Sequence, residues 1–129
     1  MRAFKNIWFA RFADKEGIAD SELWEVVNQL ETGQADADLG GYVYKMRIAR
    51  PGEGKSGGYR VIVFFRSGDK TFCHYAYPKA SRDSISEKEL RVFKKLAKRH
   101  LTMTNEQLTE AVKSGEFIEI LEAGYGKKI

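Results

Sequence analysis

Two segments near the middle of the chain have the density of apolar residues that buried β-strands require. Tyr59–Arg66 and Thr71–Pro78 are rich in Val, Ile, Phe and Tyr, the residues that fit a pleated, buried surface. The four residues between them, Ser67–Lys70, are polar and include a glycine. The pattern therefore predicts an antiparallel hairpin with a short polar loop.

The length of that loop predicts a register for the hairpin. If Arg66 faces Thr71 across the loop, then Arg60 lies opposite Tyr77. Side chains alternate between the two faces of a sheet, so the register also decides which residues lie together. One face is predicted to carry Arg60, Tyr75, Tyr77 and Lys79.

His74 falls on the opposite face in this register. It lies across from Val63, where we expect a structural histidine satisfied by one or two hydrogen bonds. The alternative is that His74 acts as a general base, and this requires a register shifted by one residue.

A third strand is predicted at Tyr42–Ala49, where apolar and polar residues alternate and Lys45 and Arg47 project from one face. Two cations on one face either discourage aggregation at a sheet edge or contact an anion. We expect them to share the face of Arg60. This requires that facing residue numbers of the strands at 42–49 and 59–66 sum to an odd number.

Helical spacing and capping residues account for most of the remaining chain. Trp8 lies at helical spacing and is expected in the core, although residues 4–9 also fit a continued strand. The apolar stripe of the second helix is expected to cover the sheet face that carries His74. The predicted elements are a strand at Ala3–Lys5, a helix from the cap Asn6 to Glu16, a helix capped by Asp20 or Ser21 and ending at Glu31, two helices that begin at capping boxes at Ser86 and Thr104, and a last strand at Phe117–Leu121.

Size and composition indicate one globular domain over residues 1–129. Hydrophobic residues make up 43% and charged residues 31% of the sequence, which is typical of a folded chain. Cys73 is the only cysteine and is expected to be a buried thiol in a reducing cytoplasm. No apolar run approaches the roughly 18 residues that span a membrane, and we expect neither a membrane segment nor a signal peptide.

The net charge of +4 is unevenly distributed along the chain. Residues 40–79 contain eight basic and only two acidic side chains. Such a local basic excess suggests a polyanionic partner, most simply nucleic acid. A solvated basic surface without a partner explains the charge equally well.

The sequence argues against two common kinds of site. Gly54-Lys55-Ser56 resembles the end of a phosphate-binding loop, but Ala49 occupies the position of the first glycine and a strand follows instead of a helix. Two histidines and one cysteine offer no spacing suited to a metal ion. We therefore expect no cofactor and no metal.

The chain as a whole resembles a known protein family. The most specific features are Arg47 followed by GEGKSGGYR, and then YPK followed by a polar link and a capped helix. Together they resemble a RelE/HigB-type toxin of bacterial type II toxin–antitoxin systems, over nearly all of the chain. The resemblance implies a small α+β RelE-like fold, with N-terminal helices packed on a twisted antiparallel sheet and a C-terminal helical segment. It also implies an mRNA endonuclease that acts on the ribosome and is inhibited by a partner antitoxin, expected to be of helix-turn-helix type.

The resemblance also implies roles for individual residues. Arg60 matches the arginine that stabilises the cleaved phosphate, and Tyr77 stands in for a tyrosine that relatives place later in the chain. This departure leaves the identity of the base open. The catalytic candidates are Arg60, Lys79, Tyr77 and Lys55, and the RNA-binding candidates are Lys45, Arg47, Arg50 and Arg82.

The chemistry of these residue types supports RNA cleavage independently of the family. Attack by a 2′-hydroxyl needs a proton acceptor, a donor to the leaving oxygen and positive charge near the transition state. Arg60 can donate two hydrogen bonds to phosphate oxygens. A lysine among other cations loses its proton more readily, so Lys79 or Lys55 can act as base or acid.

Two other functions remain open on the same scaffold. One is a ParE-like toxin that inhibits DNA gyrase without cutting RNA, and relatives of that kind lack the cationic set seen here. The other is a nucleic-acid-binding module with no toxic role, which explains the basic charge but not its clustering on one face.

Overall fold

The computed structural model describes residues 1–50 and 57–122. Within these residues the chain forms six strands and four helices, and an α+β fold is confirmed. Their order is β1 (Arg2–Asn6), α1 (Ile7–Glu16), α2 (Asp20–Glu31), β2 (Ala37–Asp38), β3 (Val43–Arg50), β4 (Gly58–Arg66), β5 (Lys70–Pro78), α3 (Glu87–Leu101), α4 (Asn105–Lys113) and β6 (Phe117–Ile120).

All six strands form a single sheet in the order β2-β3-β4-β5-β1-β6. The sheet is mixed rather than wholly antiparallel, because β1 runs parallel to β5 while the other neighbouring pairs are antiparallel. A parallel pair needs a long connection. Here the connection from β1 to β5 consists of α1, α2, β2, β3 and β4. The short strand β2 was not predicted, since residues 35–41 read as an acidic linker.

Each face of the sheet has its own apolar core, and helices cover both faces. The α2 stripe packs with odd-numbered residues of β4, such as Val61 and Val63, in one cluster. In the other cluster Ile62 and Phe64 pack with Ala97 and Leu101 of α3 and with residues of α4. The face under α3 also carries Arg60, since side chains alternate along β4.

The predicted helix boundaries at the N-terminus are largely confirmed. Asn6 caps α1, with its side-chain oxygen accepting a hydrogen bond from the Phe9 backbone N–H, and Gly17 ends the helix at φ 74°. The predicted cap of α2 was wrong. Ala19 is the N-cap residue and makes no side-chain cap bond, while Asp20 instead accepts a hydrogen bond from Lys5 Nζ at 2.8 Å.

The hairpin register is confirmed at one end and wrong at the other. Arg60 lies opposite Tyr77 as predicted, but Arg66 pairs with Lys70 instead of Thr71. The difference is a β-bulge: the register shifts by one between Ile62 and Val63, and Val63 pairs with Cys73. A bulge leaves one extra residue in a strand, and here that residue is His74.

The register between β3 and β4 is confirmed. Arg47 pairs with Arg60 and Lys45 with Ile62, so facing residue numbers sum to an odd number. Lys45, Arg47 and Arg60 therefore start from the same face of the sheet.

No helix in the described ranges, 1–50 and 57–122, is long and apolar enough to cross a membrane.

Candidate functional site

The three central strands bring most of the candidate cations together on the α3 face. Arg60 lies in β4 between Arg47 of β3 and Tyr77 of β5. Lys79 follows β5, and its backbone N–H donates to the Gly58 carbonyl at 2.9 Å, which fixes it beside the start of β4. Its side chain is exposed.

Arg60 itself is almost completely enclosed, with only 4% of the residue accessible. Its Nη1 donates a long hydrogen bond of 3.5 Å to the Tyr59 carbonyl. Enclosure strengthens the interaction of a guanidinium with any anion that reaches it, because little water competes. It also means that a phosphate reaches Arg60 only when neighbouring groups move aside.

Arg82, in the connection between β5 and α3, is held against Tyr77. Its guanidinium lies over the Tyr77 ring, 5.4 Å from the ring centre. It also forms a two-bond ion pair with Glu89, and its Nε donates to the Ser84 carbonyl at 2.9 Å. Glu89 completes the capping box of α3 by accepting from the Ser86 N–H. One carboxylate thus both begins α3 and positions Arg82.

The surroundings of Tyr77 disfavour ionisation of its hydroxyl. Tyr77 is 3% exposed, and its hydroxyl donates to the Asp83 carbonyl at 3.3 Å. Burial raises the pKa of Tyr77, although Arg82 and Arg60 act in the opposite direction. Tyr77 therefore contributes a ring surface for Arg82 more readily than a base.

The charged groups of Arg47 and Arg50 have other partners, although Arg47 is the strand partner of Arg60. Arg47 turns to an ion pair with Asp36, 2.7 Å from its Nε, near the edge of the sheet. Arg50 stands over the ring of Tyr59 at 5.8 Å, on the α2 face. Lys55 lies outside the described residues.

The structure corrects the predicted position of His74. The bulge turns its ring to the α3 face, where it stacks on Phe64 at 4.6 Å and meets Phe93 edge-on. Its Nδ1 lies 3.2 Å from the Asn6 side-chain nitrogen, so a neutral imidazole that accepts this hydrogen bond fits. Burial, and to a lesser extent His100, lowers the pKa of His74 to about 4.

His100, in the last turn of α3, belongs to the same aromatic group. It packs among the rings of Phe64, Phe72 and Phe117, and burial lowers its pKa. Its buried Nδ1 finds no hydrogen-bond partner within residues 1–50 and 57–122.

Comparison with known proteins decides the family. The family model described as the RelE toxin of the RelE / RelB toxin–antitoxin system matches residues 1–120. The chain belongs to the RelE toxin family. No curated protein and no solved structure shows a significant match. As a RelE toxin, the protein has a cognate antitoxin as its partner.

Two other chemistries are not indicated in this RelE toxin. Burial raises the pKa of Cys73 to about 12, which keeps its sulfur protonated and unreactive. In the described part of the chain, no group of three or more His, Cys, Asp and Glu residues is arranged to hold a metal ion.

One feature of the RelE toxin that the sequence did not single out is an aromatic series beside the cations. Trp8 was expected in the core, but 46% of the residue is exposed. Its ring stacks on Tyr75 at 4.8 Å, and Tyr75 lies 6.0 Å from Tyr77. The exposure of Trp8 had one indication in the sequence. Arg11 and Lys15 lie at helical spacing from Trp8, and charged residues at this spacing mark the solvent-facing side of a helix.

For the RNA cleavage proposed below, we expect His74→Gln to leave the rate within a few-fold of wild type, because His74 is held by aromatic packing and Asn6. Its effect is expected in stability. The pKa of His74 falls from 6.5 to about 4 on folding, so the unfolded chain binds the extra proton, and wild type loses stability as pH falls from about 6.5 to 4. Urea unfolding across this range should show a shallower loss in His74→Gln, with His100 responsible for what remains. A collapsed cleavage rate at unchanged stability would make His74 the base.

Glu89→Gln is expected to release Arg82 while keeping the capping box, because glutamine also accepts from the Ser86 N–H. The ion pair holds the pKa of Glu89 at about 2, below its ordinary 4.5. Its stabilising effect is therefore complete above about pH 4.5 and is lost as pH falls towards 2. Melting temperatures of the two proteins should differ most near neutral pH and converge in acid. A difference that stays constant across this range would contradict the pairing.

Proposed function

We propose that this RelE toxin is an mRNA endoribonuclease that cuts mRNA on the ribosome and so inhibits translation. The observation that carries the proposal is the arrangement of cations on one sheet face. Arg60 lies at its centre, Lys79 stands exposed beside β4, and Arg82 lies over Tyr77. A dianionic transition state of phosphoryl transfer needs such converging positive charge.

The first step requires a bound phosphate next to a 2′-hydroxyl. Arg60 is proposed to donate to the non-bridging oxygens, because a guanidinium presents paired donors at the spacing of two phosphate oxygens. Arg82 is proposed to bind the neighbouring phosphate once that phosphate displaces Glu89. Lys45 and Arg47 are proposed to extend the contact along the RNA strand, with Asp36 orienting Arg47. Arg50 lies over Tyr59 on the α2 face and is not part of this proposed contact.

Proton transfer completes the reaction without a metal ion or cofactor. The 2′-hydroxyl proton leaves as its oxygen attacks phosphorus, and the 5′-oxygen of the next nucleotide gains a proton as its bond breaks. Lys79 is the described residue proposed for one of these transfers, because it is exposed and its backbone bonds Gly58, two residues before Arg60. Lys55 is proposed for the other. The hydrogen bond and raised pKa of Tyr77 favour a positioning role for this residue.

The ribosome supplies what the site lacks. The described residues near Arg60 include no histidine or carboxylate free to act as a conventional acid–base pair: His74 is packed in aromatic rings and Glu89 is ion-paired. Such a site is slow on free RNA, and positioning of mRNA in the ribosome raises the effective concentration of the reacting groups. We propose a cytoplasmic toxin, with a helix-turn-helix antitoxin that blocks access to this face.

The proposal is tested by inducing the protein in bacterial cells and mapping new 5′ ends on cellular mRNA. We expect new ends within translated regions soon after induction, and none when the antitoxin is co-expressed. Growth arrest with intact mRNA and altered plasmid supercoiling would contradict the proposal and indicate a gyrase inhibitor. Normal growth with intact mRNA would leave only the binding module.

A further inference from the structure

We propose that the exposed ring of Trp8 is a stacking platform for an unpaired base of the RNA, next to the phosphate-binding cations. The inference rests on the proposed function and adds to it that the substrate is single-stranded at this point. Trp8 is unusually exposed: 46% of the residue is accessible, although tryptophan normally buries most of its ring.

The ring is held in place before any ligand arrives. It stacks on Tyr75 at 4.8 Å and on Phe12 at 5.4 Å, and Phe12 in turn meets Tyr59 edge-on. Two aromatic neighbours restrict the rotamers of the indole, so little conformational entropy is lost on binding. A rigid, partly open aromatic ring is the element that single-strand-binding surfaces use to stack bases.

The platform is continuous with the proposed catalytic site. Tyr75 follows Trp8 in the series, and Tyr77 lies 6.0 Å beyond Tyr75. Arg82 covers the Tyr77 ring, and Arg60 is the strand partner of Tyr77. A nucleotide with its phosphate near these arginines therefore has an aromatic surface within reach of its neighbouring base.

The charge around Trp8 also favours RNA as the occupant. Arg11 and Lys15 lie three and seven positions after Trp8 and are both exposed, so they share its side of α1. Cations interleaved with an aromatic ring suit a phosphate–base repeat. Exposed aliphatic side chains, which suit the apolar contacts of a protein partner, lie on other elements than α1, at Val92 of α3, Ile118 of β6 and Leu121.

The two tryptophans of the chain allow a direct test. Trp24→Phe leaves Trp8 as the only tryptophan, and Trp8→Phe leaves Trp24, whose Nε1 donates to the Ile120 carbonyl of the edge strand β6. Each protein is titrated at low salt with a single-stranded 2′-O-methyl oligonucleotide, which cannot be cleaved. We expect tryptophan fluorescence to be quenched in Trp24→Phe and unchanged in Trp8→Phe.

Affinity provides the second measurement. Trp8→Ala is expected to weaken binding of the oligonucleotide about 10-fold, the effect of losing one stacked base, while Trp8→Phe loses less and Trp24→Phe binds as wild type. Thermal melts confirm that all three proteins are folded. Unquenched Trp24→Phe, or unchanged affinity in Trp8→Ala, would overturn the inference.

Three further outcomes separate this inference from the proposed function and from a contact with the antitoxin. If wild type cleaves mRNA and Trp8→Ala cleaves and binds equally well, the platform is refuted while the nuclease stands. If RNA binding is unchanged but Trp8→Ala is no longer neutralised by the antitoxin, Trp8 contacts the antitoxin and the inference is overturned. Quenching without mRNA cleavage by wild type would keep the platform and refute the nuclease.

Discussion

Arg60→Ala is expected to lower the rate of mRNA cleavage about 100-fold or more. The reason is that Arg60 is the central cation of the proposed site and lies among groups that exclude water. Removing one donor that stabilises a developing anion typically has an effect of about this size. Single-turnover cleavage of mRNA bound to ribosomes measures the rate, and toxicity on induction should disappear in parallel.

Two controls give the Arg60 result its meaning. Arg60→Lys keeps the charge but not the paired donors, and should recover only part of the rate. Arg66→Ala removes the same charge from the same strand and face, but Arg66 bonds Asp69 and the Leu101 carbonyl at the far end. It should cost stability and leave the rate near wild type. Wild-type toxicity in a folded Arg60→Ala protein would remove Arg60 from the site.

Gly58→Ala is expected to lower the free energy of unfolding by about 3 kcal/mol, the upper part of the usual range for overpacking. A Cβ at Gly58 would lie 2.2 Å from the Ile48 carbonyl oxygen and 2.8 Å from the Arg50 backbone nitrogen. Both atoms belong to the backbone of β3, so no rotamer change relieves the clash. The strands must separate where Arg47 faces Arg60, and cleavage should fall with stability.

Gly68→Asn is the matched control for the Gly58 substitution. Gly68 lies in the loop of the same hairpin at φ 70°, and a Cβ there meets nothing within 4 Å. Asparagine tolerates this left-handed conformation, so Gly68→Asn should unfold at nearly the wild-type urea concentration. If Gly58→Ala matched it, the close approach of β3 and β4 would not be a constraint on the sequence.

Features set by local chemistry were predictable from the sequence. The caps at Asn6, Ser86 and Thr104 are all present, because each depends on residues within one helical turn. The shared face of Arg47 and Arg60 follows from alternation, since a shift of one residue would move an entire apolar set into solvent. That these two cations start from one face is thus readable without a structure, whereas their direct pairing across the strands is not.

Features set by tertiary packing were not predictable in this way. The bulge that redirects His74 is not marked by a glycine or proline beside it, because Pro78 lies four residues further on, at the end of β5, and the position of the bulge depends on the aromatic packing around Phe64. Trp8 fits a helical apolar pattern, yet in the first turn of α1 it stacks on Tyr75 and stays largely exposed. The ion pairs of Arg47 with Asp36 and of Arg82 with Glu89 depend on the course of the loops that carry Asp36 and Arg82. The sequence pattern does not specify that course.

If converging cations promote attack by the 2′-hydroxyl, the chemistry of the product shows it directly. Ribosomes carrying a defined mRNA are incubated with the purified toxin, and the ends of the fragments are identified by mass spectrometry. We expect a 2′,3′-cyclic phosphate on the upstream fragment and no cleavage when the single nucleotide before the cut carries 2′-deoxyribose. A 3′-hydroxyl end, or cleavage that persists with the 2′-deoxy nucleotide, would contradict it.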